Sequence, residues 1–233
     1  MLNNKTFLAI IPARGGSKRL PKKNVLELVG KPLIAWTIEA ALKSKHIDKV
    51  LVTSDDDEIL DVSEKFGAAT IPRPADIAQD TSTSFEAIRH AIESMEKYDY
   101  VVLLQPTSPL RTSQHIEEAI QLLVDRNADA IISVTEMEHS PLWVNVLPGD
   151  NCMAGFLREE ILNKRSQDLE TYYRLNGAIY ISQTTKLMDA GSFFLSNNVY
   201  AYKMSNTNSV DIDTEMDFKW AEFLLNSVAN KGY

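Results

Sequence analysis

Cysteine is nearly missing from this sequence. Cys152 stands alone among 233 residues, so no intrachain disulfide can form and no thiolate cluster can hold a metal. The histidines His46, His90, His115 and His139 are scattered and match no zinc spacing, which leaves oxygen as the donor for any bound cation. No apolar run approaches the roughly 18 residues of a membrane span, and the first residues hold no signal-like apolar segment, so no membrane partner and a cytoplasmic location are expected. Neither G-x-x-x-x-G-K-[ST] nor G-x-G-x-x-G occurs, which removes the main support for a P-loop kinase or a dinucleotide dehydrogenase. Repeats, low-complexity tracts and linkers are also missing, so residues 1–233 read as a single domain. A formal net charge of −8 argues against nonspecific nucleic-acid binding.

Against that acidic background one stretch is basic. Residues 7–24 read FLAIIPARGGSKRLPKKN, an unbroken apolar run that passes into a loop carrying Arg14, Lys18, Arg19, Lys22 and Lys23. The run lacks alternation, which suits a strand of a parallel sheet covered on both faces. Gly15 and Gly16 remove bulk and permit positive φ, so backbone N–H groups beside Ser17 can turn toward an anion. A polyphosphate fits such a loop; a solvated surface turn fits it equally when the loop is taken alone. Position favours the first, because open α/β sheets bind ligands beyond the carboxyl ends of their strands.

The remaining chain repeats strand, loop and helix. Residues 49–54, 100–105 and 129–135 read as buried strands. Helices are expected after Lys31-Pro32 (with Trp36 in the core), up to Phe66 with Ser54 or Asp55 as N-cap, over about 85–97, and from Ser113 to Arg126. The hydroxyls at 81–84 suit a helix N-terminus. Residues 175–182 and 199–203 add strands, and a last helix runs over about 214–228. Between Met137 and Arg158 the alternation in WVNV and MAGFL flanks Leu147-Pro148-Gly149-Asp150-Asn151, which reads as a β-hairpin excursion. These features together give an α/β fold with a mainly parallel sheet flanked by helices.

Late in the chain, Asp211-Ile212-Asp213 places two carboxylates at i and i+2. If the segment is extended, both face one side while Ile212 anchors the other. Such a pair supplies about the share of ligands that magnesium takes from protein when phosphate oxygens and water provide the rest. The other reading is that Asp213 only caps the last helix. Transfer at phosphorus needs positioning and charge stabilisation more than covalent help. Arg14, Lys18 and Lys23 holding a triphosphate, with the two aspartates holding Mg2+, would provide both. Gln105, Thr107, Ser108 and Arg111 sit in a proline-stiffened loop after a strand and are candidate substrate contacts.

The segments IPARGGSKRLPKKN, RPADIAQDTSTS (73–84), LLQPTSPLR (103–111), QDLETYYRLNGAIY (167–180) and SVDIDTEMDF (209–218) resemble the motifs of the CMP-sialic acid synthetases, the acylneuraminate cytidylyltransferases. The resemblance spans nearly the whole chain. It implies a Rossmann-like nucleotidyltransferase fold, with CTP joined to a nine-carbon 2-keto sugar acid and pyrophosphate released. Carried over by motif, Arg14 and Lys23 are phosphate ligands within a loop of Gly15, Ser17 and Lys18, Asn24 reads the base, and Arg73 and Ser84 contact the nucleotide. Gln105 falls where the family touches the sugar acid, with Arg111, Asn176, Gly177 and Tyr180 in or beside its motifs. Arg165 matches only loosely, since Ser166 intervenes and Glu170 replaces a proline. The family also implies that 137–174 is a dimerisation arm and the protein a homodimer. Kdo, legionaminic or pseudaminic acid remains an alternative acceptor, and a non-catalytic nucleotide-binding regulator the alternative class.

Overall fold

The apolar run after Thr6 forms β1 (Phe7–Pro12), whose first five residues are buried. Both faces are covered because successive side chains point oppositely. Phe7, Ala9 and Ile11 join one core cluster, while Leu8 and Ile10 join another on the far face. The computed structural model describes residue 2, residues 4–79 and residues 82–229.

Beyond β1 come a two-residue pair, β2 (Glu27–Leu28) and β3 (Lys31–Pro32), then α1 (Leu33–Lys43), β4 (Lys49–Ser54), α2 (Asp57–Lys65) and β5 (Ala69–Pro72). Next are α3 (Ser84–Glu93), β6 (Tyr100–Leu103), α4 (Ser113–Asp125) and β7 (Ala130–Glu136). β8 (Tyr173–Gln183), α5 (Thr184–Ala190), β9 (Val199–Met204) and α6 (Glu215–Ala229) complete the chain. Among the described residues these strands build a seven-stranded sheet in the order β5-β4-β1-β6-β8-β7-β9. β5, β4, β1 and β6 are parallel, as expected; β8 enters antiparallel to both β6 and β7, and β9 returns parallel to β7. Ile34 and Ile38 of α1 and Ile116 and Ile120 of α4 cover one face, and Ile88 of α3 and Leu187 of α5 cover the other. The result is the expected α/β architecture.

Several local expectations are corrected. The hairpin at 137–158 does not form: between β7 and β8 the chain makes only 3-10 turns at Pro141–Trp143, Glu159–Ile161 and Ser166–Asp168. Val144 and Val146 are 63% and 86% exposed, so their alternation meets no core and no partner strand. Asp56 caps α2, accepting from the Ile59 N–H, in place of Ser54 or Asp55. Thr112, not Ser113, caps α4, in a capping box with His115. α3 ends at Glu93, and its cap is Thr83, boxed with Glu86. Trp36 is half-buried, its indole N–H donating to the Leu28 carbonyl at 3.0 Å. Residues 80 and 81 and the Ser84 side chain lie outside the described residues, so the hydroxyl cluster is seen only in part. Among the described residues, no helix is long and apolar enough to cross a membrane.

Candidate active site

The strands β1, β4, β5 and β6 end side by side, and the backbone goes on pairing just past them. Ala13 N–H donates to the Thr53 carbonyl (3.0 Å), and Arg73 N–H to the Ser54 carbonyl (2.7 Å). The Arg73 guanidinium then ties these ends together, donating to the carbonyls of Thr53 (2.9 Å) and Ala13 (3.4 Å). Burial pushes its pKa down, opposed by Asp55, with Arg14 adding to the depression. A crevice of about 510 Å³ opens beyond these ends, lined by Arg14, Lys23, Asn24, Arg73, Gln105, Asp211 and Asp213 among others. That is where an open α/β sheet takes its ligand. A smaller groove of about 240 Å³, shared by Arg14, Lys23, Asn24 and Asp213, extends along Ser17, Lys18 and Arg19.

The basic loop is therefore at the crevice, although its glycines act otherwise than expected. Neither Gly15 nor Gly16 has positive φ; the left-handed residue is Lys22, at φ 54°. Gly15 is needed for close approach, since a Cβ there would stand 2.5 Å from Asp56 Oδ2. Its N–H donates to Asp55 Oδ1 at 3.2 Å. Lys22 pairs with Glu58 at 2.6 Å and does not line the crevice. Asn24 is buried, its amide donating to the Arg14 carbonyl at 3.1 Å, while its Oδ1 has no partner among the described residues.

Opposite the loop stands the late aspartate pair. Ile212 is fully buried with Leu28, Leu33 and Ala221, and its N–H donates to the Thr107 carbonyl at 2.9 Å, so the segment is anchored as the i, i+2 argument requires. Asp213 does not cap α6. That work falls to Thr214 and Asp217: the Asp217 N–H donates to Thr214 Oγ1 at 3.3 Å, and Asp217 Oδ2 accepts from the N–H groups of Thr214 (2.7 Å) and Asp213 (3.1 Å). The Asp213 carboxylate instead accepts from Lys23 Nζ (2.9 Å) and Arg19 Nη1 (3.0 Å). Asp211 opens to the crevice, whose walls exclude enough water to raise its carboxyl pKa. Thr107 opposes that rise with a hydrogen bond, while Asp213 adds to it.

Other expected contacts divide. Gln105 lines the crevice, and Gly177 abuts it: at φ +72°, a Cβ on Gly177 would stand 2.6 Å from Gln105 Oε1 and 3.8 Å from Asp211 Oδ2. Tyr180 is nearly buried against Phe193 and Phe194, with burial and the Asp211 charge raising its pKa. Arg111 does not reach the crevice. It is 1% exposed, donates to the carbonyls of Gln105 (3.1 Å) and Ala178 (2.8 Å) and to Thr37 Oγ1 (2.5 Å), and is pushed down by burial to a pKa of about 9. Ser108 is likewise fully buried. Asn176 is 2% exposed and spends its carboxamide on Ser133, Ala178, Ser209 and Met204. Arg165 is exposed, paired with Asp168 at 2.8 Å, and is not part of the crevice lining. Sequence reasoning missed Ile77, Ala78 and Gln79 as crevice lining. The motif RPADIAQ pointed there, but proline-broken apolar residues carry no chemical signal of their own.

A family model described as Cytidylyltransferase matches residues 8–224. N-acylneuraminate cytidylyltransferase of Escherichia coli is 39% identical over 92% of this chain, which spans 51% of that relative's length. Pseudaminic acid cytidylyltransferase of Campylobacter jejuni is 34% identical over 93% of the chain and 95% of the relative. CMP-N,N'-diacetyllegionaminic acid synthase of Legionella pneumophila is 35% identical over 94% and 96%. In fold, a CMP:2-keto-3-deoxy-manno-octonic acid synthetase complexed with CTP superposes with a TM-score of 0.69 at 20% identity, covering 96% of this chain and 99% of the other. A basic loop and an aspartate pair on one crevice, on this sheet, agree with matches that cover nearly all of this chain: the chain belongs to the cytidylyltransferase family.

Proposed function

We propose that this chain transfers CMP from CTP to the anomeric hydroxyl of a nonulosonic acid, such as an acylneuraminate, and releases pyrophosphate. One observation carries the reading: Arg14, Lys23 and Asn24 share a single crevice with Asp211 and Asp213. Relatives that match over nearly their whole length are named for pseudaminic and legionaminic acids, so the acceptor class is a nine-carbon 2-keto sugar acid. A non-catalytic regulator has no use for two carboxylates kept at the crevice, one of them at a desolvation cost.

Arg14, Lys18 and Lys23 hold the triphosphate, and fixed cations in a partly dry cleft interact severalfold more strongly than in water. Gly15 and Ser17 belong to the loop that carries these cations. Asn24 faces the base, and Arg73 keeps the strand ends fixed beside the nucleotide. Gln105, with Gly177 and Tyr180 around it, positions the sugar acid. The residues fit a magnesium ion: Asp211 and Asp213 flank the buried Ile212 and both line the crevice, Asp213 is not spent on capping the last helix, and Asp211 has no cation bonded to it among the described residues. Bound there, Mg2+ would supply Lewis acidity at the acceptor hydroxyl and the phosphate oxygens. Asp213, which accepts from Lys23 and Arg19, and Asp211 would be the residues that hold the ion.

The reading extends to a homodimer in the cytoplasm. Val144, Val146, Leu147, Met153 and Leu162 are all at least half exposed on 137–172, apolar surface that a second copy would cover. Sedimentation of the purified protein tests this, with a monomer at micromolar concentration the contrary result. The function itself is tested by pyrophosphate release on mixing the protein with CTP, Mg2+ and a panel of N-acetylneuraminate, legionaminate, pseudaminate and Kdo. Release with a nonulosonate is expected; silence with the whole panel would contradict the reading.

A further inference from the structure

Asn176 is an odd residue to find in a core. Its carboxamide is 2% exposed, on β8 against β7, where an apolar side chain would cost nothing in desolvation. Every polar atom of it is used. Oδ1 accepts from Ser133 Oγ (2.6 Å) and the Ala178 N–H (3.2 Å), and Nδ2 donates to Ser209 Oγ (3.0 Å) and Met204 Sδ (3.3 Å). Ser209 is itself buried, and its hydroxyl donates a hydrogen bond to the Ser205 carbonyl at 2.7 Å.

The consequence is directional. Ser209 lies two residues before Asp211, and Gly177, the residue after Asn176, comes to within a Cβ's reach of both Gln105 Oε1 and Asp211 Oδ2. The bulge in the β7·β8 pairing falls between Ile132 and Val134, at the Ser133 that bonds to Asn176. One buried amide thus ties the bulge, the Gly177 approach and the start of the aspartate segment together. We propose that Asn176 is a positioning residue that fixes the Asp211 carboxylate on the crevice wall, acting through Ser209. This rests on the reading of Asp211 as a magnesium ligand. Groups held behind a metal ligand typically change metal affinity when removed, while leaving the ligand itself in place.

The test is calorimetric titration of CTP without sugar acid, once in EDTA and once in excess Mg2+. The ratio of the two dissociation constants reports what the metal bridges. A general loss of structure moves both constants; a displaced Asp211 moves only the magnesium one. Asn176→Ala and Ser209→Ala are each expected to cut the ratio by about tenfold while leaving the EDTA constant unchanged. The double variant should be no worse than Asn176→Ala alone, since the two act through one bond. Asp211→Asn serves as the reference and should abolish the ratio. If Asp211→Asn abolishes it while Asn176→Ala and Ser209→Ala keep the wild-type value, the positioning role is overturned. If wild type shows no ratio, or Asp211→Asn keeps it, the metal reading falls and this proposal with it. Should Asn176→Ala fail to fold, Ser209→Ala, which removes one oxygen, decides alone.

Discussion

Lys23 Nζ stands 2.9 Å from Asp213 Oδ1 and 2.5 Å from the Ile212 carbonyl oxygen, joining the first and last motifs across 190 residues of sequence. The lysine side chain is only 12% exposed, so this pair is more than a solvated surface bridge. Lys23→Met removes a cation from the triphosphate and leaves Asp213 with Arg19 alone. The expected result is a higher CTP KM and a lower kcat together, with kcat/KM down by about 10²-fold to 10³-fold. A change in KM alone, in steady-state kinetics, would show that Lys23 serves ground-state binding only.

Asp211 should make the metal-free protein less stable. Its folded pKa lies above the ordinary 3.8 because burial, with Asp213, opposes the charged form. The folded state therefore holds this proton more tightly than the unfolded chain does, so the group's stabilisation is present at low pH and is lost as pH rises through the folded pKa. Asp211→Asn is expected to raise the melting temperature in EDTA near neutral pH, with the gain shrinking as pH falls toward the ordinary aspartate range. Thermal melts between about pH 4 and about pH 8 check this. A lower melting temperature at neutral pH would contradict it.

Gly177→Ala combines two penalties. The backbone at φ +72° resists a Cβ by roughly 1–2 kcal/mol, and that Cβ would stand 2.6 Å from Gln105 Oε1, so the glutamine must move. The KM for the sugar acid should rise more than the KM for CTP. Equal changes in both would remove Gln105 from the sugar end of the crevice.

Arg111 is a buried cation that donates to neutral acceptors, the carbonyls of Gln105 and Ala178 and Thr37 Oγ1, so its value lies in holding the Gln105 loop to α1 and β8. Arg111→Met takes a donor from the Ala178 carbonyl, from Thr37 Oγ1 and from the Gln105 carbonyl, which keeps only long contacts of 3.4 Å from Ser108 N–H and Thr37 Oγ1, and urea unfolding should show a loss of at least about 2 kcal/mol. Unchanged stability with a large sugar-acid KM effect would mean that Arg111 reaches substrate after all.

The parallel half of the sheet was legible because apolar runs such as FLAII and VLVTS leave few alternatives to a doubly covered strand, and the basic loop follows the first of them. The antiparallel entry of β8 was not, since LNGAIYIS is as apolar as its neighbours and direction leaves no mark on composition. WVNV alternates like a strand, yet pairing needs a partner and a core, which the sequence around it does not supply. That Asp211 and Asp213 share a side was legible because Ile212 between two carboxylates fixes which way they face, and both line the crevice. The burial of Arg111 and Asn176 was not legible, because a polar residue in a motif faces ligand or interior alike until its hydrogen-bond partners, here Ala178 and Ser209, are known. The cap on α6 shows the same limit, because only the structure reveals that Thr214 and Asp217 take that role and release Asp213.

The most direct measurement is pyrophosphate release from CTP and a nonulosonic acid as a function of free magnesium, for wild type, Asp211→Asn and Asp213→Asn side by side. The account predicts turnover that vanishes in excess EDTA, returns on adding Mg2+, and falls by at least about 10²-fold in either variant while the far-UV spectrum stays that of wild type. Undiminished wild-type turnover in EDTA, or variants as active as wild type, would contradict it.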